Sequence, residues 1–210
     1  MEAAWRELAG RAGVVEGNVK AIFQDLCRRY SEPGRAYHNL DHVAAMLNTV
    51  SEFEDTLHDD MAVRLAVWFH DAVYDTRRSD NEEQSAAYAS TALSHAGASP
   101  LLLPAVERLI LATKTHQAAP DDTDCQLMLD ADLAVLGVSA AEYDRYAQAI
   151  RQEYAWVSDD DYRTGRRRVL EGFLERGHLY HTASLFQERE QAARTNLRRE
   201  IERLMDSQKP

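Results

Sequence analysis

Apolar residues recur at three- and four-residue intervals along almost the whole chain, and no stretch alternates convincingly with period two. Val19, Ile22, Phe23 and Leu26 form one helical stripe, closed by the breaker Ser31-Glu32-Pro33-Gly34. Asn39 is placed to cap a helix carrying Val43, Met46, Leu47 and Val50. Asp59 or Asp60 then opens a segment from Met61 to Ala72 that is apolar on nearly all sides, the pattern of a helix buried at the centre of a fold. His70 and Asp71 sit at its C-terminal end.

Further starts and stops follow. Ser79-Asp80-Asn81-Glu82 reads as a capping box opening a helix that Gly97 closes, and Ser99-Pro100 opens the next with proline at the first helical position. Ala118 to Asp122 reads as a loop. Leu127, Met128, Leu129, Leu133 and Leu136 mark another helix, with Gly137 where a C-cap is expected. Ser139-Ala140-Ala141-Glu142 is a second capping box, and Ser158 with three following aspartates opens a helix broken at Gly177. Thr182 or Ser184 starts the last helix, through Leu197, Ile201 and Leu204. Connections are short and no repeat stands out. The pattern predicts an all-α fold of roughly eight to ten helices in one domain spanning 1–210.

Composition narrows the function classes. The 210 residues suffice for one sizeable core, and 45% apolar with 28% charged residues is an ordinary globular balance. A net charge of −11 disfavours nucleic acid and anionic membranes as partners, since both need a positive field. No apolar run approaches a membrane span, and no secretory signal is evident, so a cytoplasmic protein is expected. Cys27 and Cys125 lack metal-binding or disulfide spacing. Only Lys20, Lys114 and Lys209 are lysines, so nearly all positive charge is arginine.

The histidines and acids carry the candidate chemistry. A histidine and an aspartate side by side at the end of a buried helix bear a heavy desolvation cost unless paired or bound to a metal. Neutral imidazole and ionised carboxylate both ligate divalent first-row ions. His42, in the first turn of its helix, and Asp132 are natural suppliers of the remaining ligands; Asp130 is an equally simple candidate by position. Taken alone, each residue has a plain structural reading as a cap, a salt bridge or a surface group.

The order His42, His70-Asp71, Asp132, the last in an Ala-Asp-Leu setting, resembles the HD superfamily of metal-dependent phosphohydrolases. The phrases YHNLDHV, FHDAVYD, DNEEQSA, ATKTH, DADLAVLG and ARTNLRREI resemble a bacterial branch of that superfamily, over roughly residues 20 to 205. The resemblance implies an all-α HD-type domain, with a metal-site core at about 35–137 and a C-terminal helical portion at about 139–207. It places His42, His70, Asp71 and Asp132 on metal-binding positions. Such a ligand set would hold one or two divalent ions (Mn, Mg, Fe, Co, Ni or Zn) that acidify a bound water, with Asp71 as base or bridge. The hypothesis that follows from it is hydrolysis of a nucleotide or other small phosphate ester.

Other residues have two readings each. Glu82 can orient water as a general base, or complete a capping box with Ser79; Glu83 is the alternative acid. Lys114 and His116, at a helix end, suit phosphate contact and a second-metal or acid role, or else a solvated end favoured by the helix dipole. His38 reads as structural or supporting, and His95 has no evident role. Arg77, Arg78, Arg166, Arg168 and Arg194 suit anions or surface ion pairs. Tyr154, Trp156, Tyr162 and Tyr180 suit packing or a pocket wall. Two other function classes compete with the hydrolase: an HD-type diiron oxygenase, which wants extra histidines, and a catalytically silent binding or regulatory module.

Overall fold

The computed structural model describes residues 1–206, so the last residue of the C-terminal portion expected to reach 207 lies outside it. Among the described residues the fold is all-helical, with ten α-helices and no strand. These are α1 (Glu2–Arg11), α2 (Glu16–Tyr30), α3 (Leu40–Glu52), α4 (Asp60–Phe69), α5 (Asn81–His95), α6 (Leu103–Ala112), α7 (Thr123–Leu133), α8 (Ala140–Glu153), α9 (Asp159–Glu175) and α10 (Ala183–Asp206). Short 3-10 turns follow α3 (Glu54–Thr56) and α7 (Ala134–Gly137). No helix is long and apolar enough to cross a membrane among the described residues.

The most apolar helix sits at the centre, as its sequence demands. Leu65, Ala66, Val67 and Phe69 of α4 are wholly buried and Trp68 nearly so. The ring of Trp5 meets Trp68 edge-on at 5.5 Å, and its indole N–H donates to the Val19 carbonyl at 2.8 Å. This core therefore draws in α1 and α2 as well as the segments after residue 35. A second cluster gathers Leu133, Leu136, Tyr143, Leu170, Tyr180 and Leu197 between α7 and α8–α10. Helix α7 is buried on most sides because it serves both: Met128 and Leu129 face the first cluster, Leu127 and Leu133 the second.

Several expected signals act as read. The Asn39 side chain accepts from Asp41 N and His42 N, Asp59 caps α4 through Ala62 N, and Ser139 and Glu142 form a reciprocal box. Gly97, at φ +86°, ends α5 in a conformation that suits glycine.

Others differ. Ser79 caps nothing: α5 begins at Asn81, whose side chain instead bonds both backbone groups of Asp75. Pro100 lies in a turn closed by Leu102 N on Ser99 O, and the proline inside the first turn of α6 is Pro104. Gly137 ends the 3-10 turn for lack of space, not for its conformation. A Cβ there would meet Arg189 Cβ at 2.5 Å and the Tyr180 hydroxyl at 3.0 Å. Helix α4 stops at Phe69, so Asp71 lies just beyond the helix in a turn closed by Ala72 N on Phe69 O.

Candidate metal centre

Three separate segments bring His42, His70, Asp71 and Asp132 together. The cap at Asn39 fixes the first turn of α3 and so aims His42 inward. His70, buried at the end of α4, donates from Nδ1 to the Val67 carbonyl at 2.9 Å. A carbonyl only accepts, so the proton is on Nδ1 and Nε2 is left to face the cluster. Asp132 comes from the last turn of α7.

His42 Nε2 lies 3.2 Å from His70 Nε2 and 3.1 Å from Asp132 Oδ1. His70 Nε2 lies 3.1 Å from Asp71 Oδ2 and 3.9 Å from Asp132 Oδ1. Ligands at about 2.0–2.2 Å from one ion stand about 2.8–3.6 Å from each other when adjacent. The contacts at 3.1–3.2 Å fall in that range and the 3.9 Å one just above it. His42, His70 and Asp132 therefore suit a divalent ion in donor type and nearly in spacing, with Asp71 adjoining through His70. Ligand atoms of His42, His70 and Asp132 all fall within 4.8 Å of one another.

Charge in the cluster is unevenly shared. Burial works against protonation of both imidazoles. At His70 the adjacent Asp71 carboxylate outweighs burial and raises the pKa to about 9, whereas at His42 burial prevails and the pKa is lowered. Burial alone would raise both carboxylates, but His70 holds Asp71 low and His116 with His42 holds Asp132 well below the usual range. Without a metal, one imidazolium thus sits between two carboxylates.

The second oxygen of Asp132 has its own partner: His116 Nε2 lies 2.9 Å from Oδ2. His116 reaches it from a backbone at φ +50°, a conformation uncommon outside glycine. The Arg176 guanidinium donates to the carbonyls of Thr115 and His116 at 3.1 and 3.3 Å and holds that turn. Asp130, the positional alternative, is fully buried on another face of α7. It accepts from His181 N, Thr182 N and Thr182 Oγ1, each at 2.7 Å, and so tethers the start of α10.

Two supporting residues escaped the sequence reading. Glu153, at the end of α8, accepts from Tyr37 N at 2.7 Å, His38 N at 2.9 Å and the Tyr74 hydroxyl at 3.0 Å, and pairs with His38 Nδ1 at 2.6 Å. His38, stacked on Tyr74 at 4.2 Å between ring centres, is thereby fixed beside His42. The sequence signal for Glu153 was a carboxylate on the face that Tyr143 and Ile150 bury. Arg35 donates to the carbonyls of His38 and Asp71 at 3.1 and 2.7 Å and to that of Ala72 at 3.3 Å, joining the loops that carry His38 and Asp71.

A cavity of about 890 Å³ opens over Asp132 and His116, lined also by Glu82, Tyr74, Tyr154, Trp156 and Tyr162. With no capping box to complete, Glu82 faces this space. Lys114 also lines it, but its ammonium is paired with Glu83 and donates to Ser79 O at 2.9 Å. A separate depression of about 620 Å³ is lined by His42. Arg78, Arg166 and Arg194 are ion-paired, with Asp80, Glu200 and Glu190, and Arg77 lies over the Trp156 ring. Tyr180 packs in the second core with its hydroxyl on Leu133 O, and His95 is exposed at the end of α5, away from the cluster. Both cysteines are free.

No family model, curated protein or solved structure matches this chain.

Proposed function

We propose that the chain is a metal-dependent phosphohydrolase of the HD type, acting on a nucleotide or other small phosphate ester. The observation that carries the reading is the convergence of two imidazoles and two carboxylates, from segments far apart in sequence, beside an open cavity. His42, His70, Asp71 and Asp132 would hold one ion of the Mn, Mg, Fe, Co, Ni or Zn group. A bound divalent ion would supply charge to polarise a phosphoryl oxygen and to acidify water.

The protein's own residues do the rest. His70 is locked by Val67 O with Nε2 forward, so no rotation is spent on ligation. Asp71, set in a turn and tied through its carbonyl to Arg35, keeps its second oxygen free to accept a proton or to bridge towards another ion. Glu82, on the cavity wall, is positioned to orient water as a base. His116 fixes the plane of the Asp132 carboxylate through Oδ2. Lys114 bears on a phosphate only as part of a pair with Glu83.

Elemental analysis of the purified protein, followed by a panel of phosphate esters with Mn²⁺, Co²⁺ and the ion found, tests this reading. Turnover that vanishes on chelation is expected. A folded, metal-loaded protein inactive on every ester would overturn it. The contact of His116 with the far oxygen of Asp132 is the one feature favouring a diiron oxygenase; bound iron with substrate-dependent O₂ consumption and no ester turnover would establish that alternative.

A further inference from the structure

The large cavity is built for more than a phosphoryl group. Of the four candidate ligands Asp132 lines it, with His116 beside it, so the cavity reaches the edge of the candidate metal centre. An inorganic phosphate would fill a small part of about 890 Å³, and a volume of that order suits a whole small-molecule ligand. Its walls are aromatic beyond what the chain's 8% would supply by chance: Tyr74, Tyr146, Tyr154, Trp156, Tyr162 and Phe173 all border it.

Two wall residues are exposed in fixed positions or left short of a partner. Trp156 is 50% exposed, yet its indole N–H donates to Thr76 Oγ1 at 2.8 Å and Arg77 lies over its ring at 4.8 Å. A ring already held in place loses little freedom when a ligand packs against it. Tyr162 is 92% buried, and its hydroxyl has no hydrogen-bond partner.

The charges of the cavity are the second observation. Four cations border it, but Lys114 is paired with Glu83, Arg166 with Glu200, and Arg176 is spent on backbone carbonyls. Arg168 is exposed on the wall and makes no ion pair among the described residues. Three carboxylates, of Glu82, Asp132 and Asp161, face the same space. One phosphate can be matched by a divalent ion and Arg168; further phosphates would meet carboxylates without a free cation to offset them.

We infer that this cavity is a binding site for the organic part of a singly phosphorylated ester, a planar aromatic group packed against Trp156 and its neighbours, and that it disfavours di- and triphosphates. The inference rests on the phosphohydrolase reading for the orientation of the phosphate, but not on turnover.

Non-hydrolysable probes test it by equilibrium binding to the full-length, metal-loaded protein. Phenylphosphonate is expected to bind at least about tenfold more tightly than methylphosphonate, the scale of one ring-on-ring contact. Trp156→Ala should narrow that ratio to less than about threefold, and Trp156→Phe should restore most of it, which separates lost stacking from lost folding. A non-hydrolysable phosphonate analogue of adenosine monophosphate should bind more tightly than a non-hydrolysable analogue of adenosine triphosphate at the same free metal concentration. Equal affinity for the two phosphonates, an unchanged ratio in Trp156→Ala, or preference for the triphosphate would overturn the inference, as would no binding of any probe. Selective binding of phenylphosphonate without turnover of any ester would support the aromatic site while sinking the hydrolase reading.

Discussion

The Nε2 atoms of His42 and His70 lie 3.2 Å apart, although 28 residues separate them in sequence. His70 Nδ1–H is already committed to the Val67 carbonyl, so two neutral rings would turn lone pairs on each other unless His42 donated from Nε2. In the metal-free protein a second proton on His70, favoured by Asp71, relieves this. A divalent ion between the rings relieves it in another way. Proton and metal therefore compete for one position.

That competition fixes a pH dependence. His70 has a folded pKa raised from 6.5 to about 9, so its contribution to metal-free stability is present below 6.5 and lost as pH rises through 9. Asp71 and Asp132, held below 3.8, contribute above that value and lose their contribution as pH falls through their lowered values. Chelator-treated protein should thus unfold at lower denaturant at pH 9.5 than at pH 5.5. Metal affinity should run the opposite way, rising with pH and releasing about one proton per ion, read by calorimetry in buffers of different ionisation enthalpy. Binding without proton release would contradict the shared position.

Asp130 and Asp132, two residues apart, should separate cleanly. Asp132→Asn is expected to lower metal content severely while the chain remains folded. Asp130→Asn should keep the metal and cost about 1–3 kcal/mol, because the buried carboxylate satisfies two backbone N–H groups and a hydroxyl at the start of α10. Metal analysis with urea denaturation distinguishes them; metal loss in the Asp130 variant would show that it acts on the site.

Glu153→Gln places an amide N–H₂ among groups that donate to the native carboxylate. A loss of about 2–4 kcal/mol is expected, since Tyr37 N, His38 N and Tyr74 Oη all converge on it. Denaturant titration measures the loss, and a change below about 0.5 kcal/mol would mean that the clamp contributes little.

Glu82→Gln and Ser79→Ala should differ in kind. Ser79 makes no cap, so its substitution should leave the unfolding midpoint within about 0.5 kcal/mol of wild type. If the ester hydrolysis proposed above is observed, Glu82→Gln should lower kcat by about 10²–10⁴ with metal content intact. Unchanged kcat would remove Glu82 from the reaction.

Glycines supply a packing test. Gly137→Ala should destabilise by about 1–3 kcal/mol, because its Cβ would strike Arg189 of α10. Gly172→Ala, inside α9 with open space around it, should stabilise by about 0.5–1 kcal/mol. Thermal or urea unfolding of both variants reads the opposite signs.

Local chemistry was legible in the residues themselves. Apolar spacing at helical period, the caps at Asn39, Asp59, Ser139 and Ser158, and the all-round apolarity of the α4 segment depend on neighbours within a few positions, and they determined the all-α fold and its central helix. The grouping of histidines and aspartates also marked the segments where charge is buried. What tertiary structure alone decided is which of those groups meet. Asp130 and Asp132 look alike in sequence, but two positions along a helix is a turn of about 200°, which sends one to the start of α10 and the other to the histidines. Ser79 and Glu82 match a capping box, yet Asn81 is captured by Asp75 first. Glu153 and Arg35 act across more than 30 residues of chain, where no local rule reaches. Pairing at such distances is set by how helices pack, and a linear pattern does not carry that geometry.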